Sequence, residues 1–129
     1  MNTSLGRIVI LVNDYEQAYQ FYVNKLGAKV LYDEALPGGE RYLHVGFGNS
    51  QCAFWLLAAA GEEQLKLVGK QTGGQPLAVL YTDDFDGFYK NLLHQNITIN
   101  QAPATAPGSK FLHFADLYGN DFVLVQLIP

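Results

Sequence analysis

Lysine and arginine are scarce: eight in 129 residues, scattered with no run among them. Holding a phosphate backbone needs clustered basic residues, so nucleic acid is excluded as a partner, and the formal charge of −4 points the same way. Cysteine is nearly absent too. The single Cys52 rules out an internal disulfide and any multi-cysteine zinc site. Set in an apolar stretch, it reads as a buried, inert thiol. Long apolar runs are missing as well, the longest, CAFWLLAAAG, being about half of a membrane span. The opening MNTSLGRIVILV has no charged region ahead of its short apolar part and no cleavage site behind it, unlike a signal peptide. A soluble, cytoplasmic protein with no membrane partner is expected.

What the chain does have is apolar content: 49% hydrophobic residues against 16% charged ones favour a packed globule over disorder. Its length suits one domain that buries roughly two-thirds of its unfolded surface.

The pattern repeats internally. RIVILV (7–12) is a β-branched apolar run that reads as a buried strand. Asp14 then stands at a helix N-cap, with Gln17 in the capping-box position. Tyr15, Ala18, Tyr19, Tyr22 and Leu26 share one helical face, and Gly27 supplies the stop. Seventy residues on, LAVLYT (77–82), Asp84 and the stripe Phe85, Phe88, Tyr89 and Leu92 repeat strand, cap and helix.

The remainder of each half also corresponds. KVLYDEAL (29–36), a PGGE turn, RYLHVGF (41–47), a GNS turn and QCAFWLLA (51–58) complete the first half. The second continues with ITINQ (97–101), a loop rich in Pro and Ala, KFLHFA (110–115), the DLYGN turn and DFVLVQL (121–127). RYLHV matches KFLHF position by position, which makes His44 the counterpart of His113. The expected fold is α+β: one domain of two tandem βαβββ modules, about 5–59 and 77–128. Residues 60–76 join them, holding a short helical candidate, EEQLKLV, and a flexible QTGGQ.

Paired βαβββ units with DYEQAYQFYVNKLG (14–27) and DLYGNDF (116–122) resemble the vicinal oxygen chelate superfamily, which includes glyoxalase I, bleomycin-resistance proteins and extradiol dioxygenases. VGKQTGG (68–74) and YTDDFDGFY (81–89) are similar to a bacterial glyoxalase-like subgroup. The resemblance implies curled mixed sheets around a cavity and, commonly, a homodimer. In the family's enzymes it implies a divalent metal held by His or Glu from the first, fourth, fifth and eighth strands, acting as a Lewis acid.

Carried over position by position, that metal set falls on Arg7, Leu77, Val123 and an undetermined residue between Gln51 and Ala60. Arginine has no lone pair to give, leucine and valine have no donor, and the fourth-strand stretch holds no carboxylate or histidine. No cofactor is therefore expected. His44 and His113, with Asp33, Glu34 or Asp116, are the only candidates for a relocated site, and two histidines fall short of a usual ligand set.

If the positions that the resemblance assigns to the cavity, Arg7, Leu77 and Val123, face inward, strand alternation puts Val9, Leu11, Val79, Tyr81 and Val125 there too. The fourth strand adds either Ala53, Trp55 and Leu57 or Cys52, Phe54 and Leu56. Such a cavity suits a small, partly apolar molecule: Arg7 would pair with a carboxylate or phosphate and Trp55 would stack on a flat ring, with Tyr81, His44 and His113 as further contacts. Two other readings are a metal-dependent lyase or dioxygenase with relocated ligands, and a regulatory module that works through its surface. QTGGQ precedes a strand and lacks the P-loop lysine and hydroxyl, so no nucleotide site is read there.

Overall fold

Alternation decides which residues each strand buries. In β1 (Arg7–Val12), Ile10 and Val12 are fully buried while Arg7, Val9 and Leu11 face the other way. Their burial is completed by Leu43 and Val45 of β3 (Arg41–Gly46), by Phe54 and Leu56 of β4 (Ala53–Ala58), and by Ala18, Phe21, Tyr22 and Leu26 of the helical segment. In this computed structural model, which describes residues 1–129, these elements belong to the first of two compact units, Met1–Val68 and Gly69–Pro129.

The first unit is a four-stranded mixed sheet in the order β1-β4-β3-β2, with β2 spanning Lys29–Ala35. β1 runs parallel to β4 and the other pairs are antiparallel. The Asp14 carboxylate caps α1 (Tyr15–Tyr19) by accepting from the Gln17 amide at 2.8 Å. Beyond Tyr19 the helix widens into a π-helical segment, Gln20–Lys25, closed by Leu26 N–H donating to the Phe21 carbonyl. The wider turn brings Phe21 into the core beside Tyr22 and Leu26, while Tyr15 and Tyr19 of the expected stripe are only half-buried. A short helix, α2 (Gly61–Leu65), follows β4, ending before the expected EEQLKLV segment does.

The second unit repeats the arrangement in the order β5-β8-β7-β6. It comprises β5 (Ala78–Tyr81), α3 (Phe85–His94), β6 (Ile99–Ala106), β7 (Ser109–Ala115) and β8 (Asp121–Leu127). Asp84 caps α3 through the Gly87 amide, and Asn96, with φ +55°, ends it where the first half uses Gly27. Phe114 and Phe122 stack in its core with ring centroids 5.3 Å apart.

One expectation is corrected here. The Pro- and Ala-rich stretch is not a loop but the continuation of β6 to Ala106. Pro103 is tolerated because β6 is an edge strand, where a missing amide donor breaks no ladder on the open side. The register shifts between Ile99 and Gln101 and between Gln101 and Ala104 absorb the irregularity. No helix of the chain is long and apolar enough to cross a membrane.

The DLYGN turn is closed from within. Buried Asp116 accepts from the amides of Tyr118 and Asn120 at 2.9 and 2.8 Å, and its second oxygen accepts from the Asn120 side chain at 2.8 Å. Its outer edge lies so close to Gly69 that a Cβ there would sit 2.0 Å from the Tyr118 carbonyl oxygen, and Gly69 also has φ +78°. Both facts demand glycine. Gly69→Ala is expected to lower stability by about 2 kcal/mol or more, read as a reduced urea midpoint. An unchanged midpoint would mean that the turn and residue 69 are not packed together in solution.

Candidate functional site

The face of the first sheet opposite its core carries three rows of side chains. Arg7 of β1 pairs with Ala53 of β4, and Gly46 at the end of β3 lies beside them. In the next row Trp55 of β4 pairs with His44 of β3, which pairs with Tyr32 of β2. Tyr42 stands two residues from His44 on the same face, opposite Glu34. The β1/β4 register thereby settles the fourth strand: Trp55 accompanies Arg7, while Phe54 is buried on the core side.

A bulge completes this face. The β2/β3 register slips between Val30 and Tyr32, so Leu31 and Tyr32 both turn toward His44 instead of alternating. Leu31 lies over Gly46, where a Cβ would meet both Leu31 Cδ1 and Ala53 Cβ at 3.1 Å. Gly46 and Ala53 form a low floor between Arg7 on one side and Leu31 on the other.

Over that floor the rings gather. His44 lies 5.6 Å from Trp55 and 5.8 Å from Tyr32, and Tyr42 lies 6.0 Å from Trp55 and 6.3 Å from Tyr32, all between centroids. Arg7, Leu31, Tyr32, Tyr42, His44 and Trp55 line an open cavity of about 410 Å³. The Trp55 indole Nε1–H is buried in this wall with no hydrogen-bond partner. An unsatisfied buried donor costs about 1–3 kcal/mol.

Charge in the cavity is set by Arg7 and His44. Arg7 Nε donates to His44 Nδ1 at 3.0 Å, and Arg7 Nη1 donates to the carbonyls of Gly6 and Gln51 at 2.8 and 3.0 Å. His44 Nδ1 must therefore be unprotonated, which leaves the neutral ring's proton on Nε2. Burial, and secondarily the Arg7 charge, hold the His44 pKa below its ordinary value. At the far rim Tyr32 donates its hydroxyl to the Glu34 carboxylate, whose hydrogen bond pushes the phenol's pKa up and keeps it a neutral donor.

The other sequence candidates lie in the second unit. His113 pairs with Val123 as His44 pairs with Trp55, but its Nδ1–H donates to Asp121 at 2.7 Å, and Asn100 bonds the other oxygen of that carboxylate at 2.9 Å. Tyr81, 72% exposed, borders an open depression of about 330 Å³ with Thr82, Asp83, Gln126 and Leu127. Arg7, His44 and Trp55 come together in the first unit's cavity, and Tyr81 and His113 belong to the second unit. Leu31, Tyr32 and Tyr42 are additional members. Tyr42 follows from alternation once His44 is placed, while the bulge hides Leu31 and Tyr32. Cys52 is half-buried rather than buried.

The residues present do not fit the metal that the resemblance implies. Arg7 is a donor at the first-strand position, and Leu77 and Val123 are aliphatic. β4 offers only the Trp55 N–H, and no three His, Cys, Asp or Glu side chains converge anywhere in the chain. The candidates for relocation are otherwise engaged. Arg41 takes Asp33 in a fork at 2.7 and 2.8 Å and holds its carboxyl below the usual range, Glu34 accepts from Tyr32, and Asp116 is tied into its turn.

Comparison with known proteins agrees with this geometry. The model of the Glyoxalase/Bleomycin resistance protein/Dioxygenase superfamily matches residues 4–124. An uncharacterized protein of Shewanella frigidimarina (strain NCIMB 400) is 35% identical over 129 residues, covering 98% of this chain and 96% of its own. Among solved structures, UcmS2 superposes with a TM-score of 0.83 at 28% identity, over 97% of this chain and 98% of that one. TnmS3, an antibiotic binding protein from Streptomyces sp. CB03234, superposes with a TM-score of 0.78 at 24% identity, over 98% and 97%.

Burial of His44, with the Arg7 charge beside it, makes stability depend on pH. The folded chain holds His44 neutral where an unfolded imidazole, with its ordinary pKa of 6.5, takes up a proton. Below that value the unfolded state binds more protons, so this contribution is complete above about pH 6.5 and is lost as pH falls through the lower folded pKa. His44→Asn keeps an acceptor for Arg7 without the titration. Its melting temperature is expected to fall less than the wild type's between pH 7 and pH 5, and parallel curves would remove His44 from the pH response.

Proposed function

This chain belongs to the glyoxalase/bleomycin resistance protein/dioxygenase superfamily, and we propose that it binds a small, flat, partly apolar molecule in the first unit's cavity without using a metal. The observation that carries this reading is the wall of Tyr32, Tyr42, His44 and Trp55 around a cavity of about 410 Å³ with a guanidinium at its edge. A largely apolar cavity with a few fixed polar groups is what a small-molecule site requires. TnmS3 is described as antibiotic binding, and at 24% identity that likeness speaks for the scaffold. What favours a flat ligand here is this chain's own side chains. Each ring offers a stacking surface worth about 0.5–1.5 kcal/mol beyond its buried area. The reading rests on Arg7, His44 and Trp55. Tyr81 and His113 belong to the other unit.

Trp55 is the chain's single tryptophan, so indole fluorescence reports on this wall alone. Fused-ring aromatic compounds are expected to change that fluorescence saturably and to raise the melting temperature, in EDTA as well as without it. Ligand at about a hundred times its dissociation constant adds roughly 2.7 kcal/mol of stability. Trp55→Leu should weaken binding by about tenfold, which corresponds to about 1.4 kcal/mol. No saturable signal and no melting shift up to the solubility of the compounds would refute the proposal. Binding that disappears in EDTA would refute its metal-free part.

A further inference from the structure

The chain's two arginines are treated in opposite ways. Arg41 is matched by two carboxylates, with Asp33 at 2.7 Å and Glu16 at 3.2 Å. Arg7 makes no ion pair: its three acceptors are the Gly6 and Gln51 carbonyls and the neutral His44 ring. Those bonds fix the guanidinium in place without cancelling its charge. They occupy Nε and Nη1, which leaves Nη2 as the end with no protein acceptor. No carboxylate is among the lining residues. Glu34 lies on β2 opposite Tyr42 and accepts from the Tyr32 hydroxyl. The chain carries a net charge of −4, yet this cavity has an uncompensated positive charge beside four rings.

We infer that the ligand is an aromatic oxyanion, its ring lying against Trp55 and its neighbours and its anionic oxygen on Arg7 Nη2. The inference rests on the binding function proposed above and names the chemical class that the same site selects. An ammonium at that position would face the guanidinium, and a neutral ligand would leave it unmatched. With the Nε edge taken by His44, the two-pronged grip of an arginine fork is not offered. A single oxygen set end-on to Nη2 satisfies the geometry, as a ring carboxylate or an ionised phenol would supply. His44 acts as a positioning residue, because an imidazole protonated at Nδ1 could not accept from Arg7. Its ring is faced by Arg7 from β1, Trp55 from β4 and Tyr32 from β2, with Glu34 beyond Tyr32.

Calorimetric titration of the wild-type chain with naphthoate, naphthamide and naphthylmethylammonium at pH 7.5 tests this, since the three share a ring system and differ in charge. Naphthoate is expected to bind at least about tenfold more tightly than the amide, the scale of one charge-assisted hydrogen bond, and the ammonium weakest. Added salt should narrow the difference, because Arg7 is exposed. Arg7→Met should abolish the preference of acid over amide, and Arg7→Gln should do the same with a hydrogen-bond donor retained. Equal binding of acid and amide, tighter binding of the ammonium, or a preference that survives both variants overturns the inference and leaves the binding function standing. Failure of all three compounds and of the wider aromatic panel removes both. If the Arg7 variants do not fold, the wild-type series decides alone.

Discussion

Each sheet has one face committed to its helix, and this constraint organises everything else in the chain. Alternation along β1, β3 and β4 sends Ile10, Val12, Leu43, Val45, Phe54 and Leu56 to that face, where all are buried. In the second unit Leu112, Phe114, Phe122 and Leu124 play the same part against Phe85 and Leu92. A one-residue slip in any of these strands would turn its apolar set toward the other side, so the register is strongly fixed. With one face so committed, only the opposite face can change its residues without unfolding the unit. The two halves keep similar cores and have diverged on that second face.

The histidine pair shows how far the divergence goes. His44 and His113 occupy equivalent ladder positions, one opposite Trp55 and the other opposite Val123. Their neighbours assign them opposite tautomers. A guanidinium donor makes His44 Nδ1 an acceptor, and a carboxylate acceptor makes His113 Nδ1 a donor. The corresponding floor positions differ likewise, with Ala53 leaving a trough in the first unit where Asp121 fills the second and ties down His113. The same architecture therefore yields an open, ring-lined face with a free cation in one half and a self-satisfied polar pair in the other.

Much of this was legible in the sequence because it depends on short-range signals. The apolar runs gave every strand but β6 within a residue or two, Asp14 and Asp84 cap as their positions suggest, and DLYGN closes on its own side chains. What was not legible depends on partners distant in sequence. Pro103 reads as loop until β6 is known to be an edge strand. The π-helical widening after Tyr19 follows from what the sheet asks the helix to bury, not from helix propensity. Most consequential is the bulge at Leu31, which breaks alternation and adds Leu31 and Tyr32 to the cavity wall. Arg7, His44 and Trp55 could be nominated one by one. That Arg7 would choose His44 over a carboxylate required the β1-β4-β3 order and a floor low enough for a guanidinium to cross.

That choice bears on how a scaffold known for metal chemistry can serve without a metal's ligands. The family resemblance puts the first ligand at residue 7, and a cation is still present at that corner, supplied by the chain itself. In the family's enzymes a divalent ion would supply a Lewis acid for substrate oxygens. A guanidinium with Nε and Nη1 already engaged has one free end and a single charge. It can orient one anionic oxygen but carries a single, delocalised charge where a divalent ion carries two. On the proposed reading, replacing a ligand by Arg7 keeps electrostatic recognition at the mouth of the cavity and gives up the Lewis acid. The surrounding rings then supply affinity through contact area, and the guanidinium, held by a neutral histidine, supplies selectivity for charge.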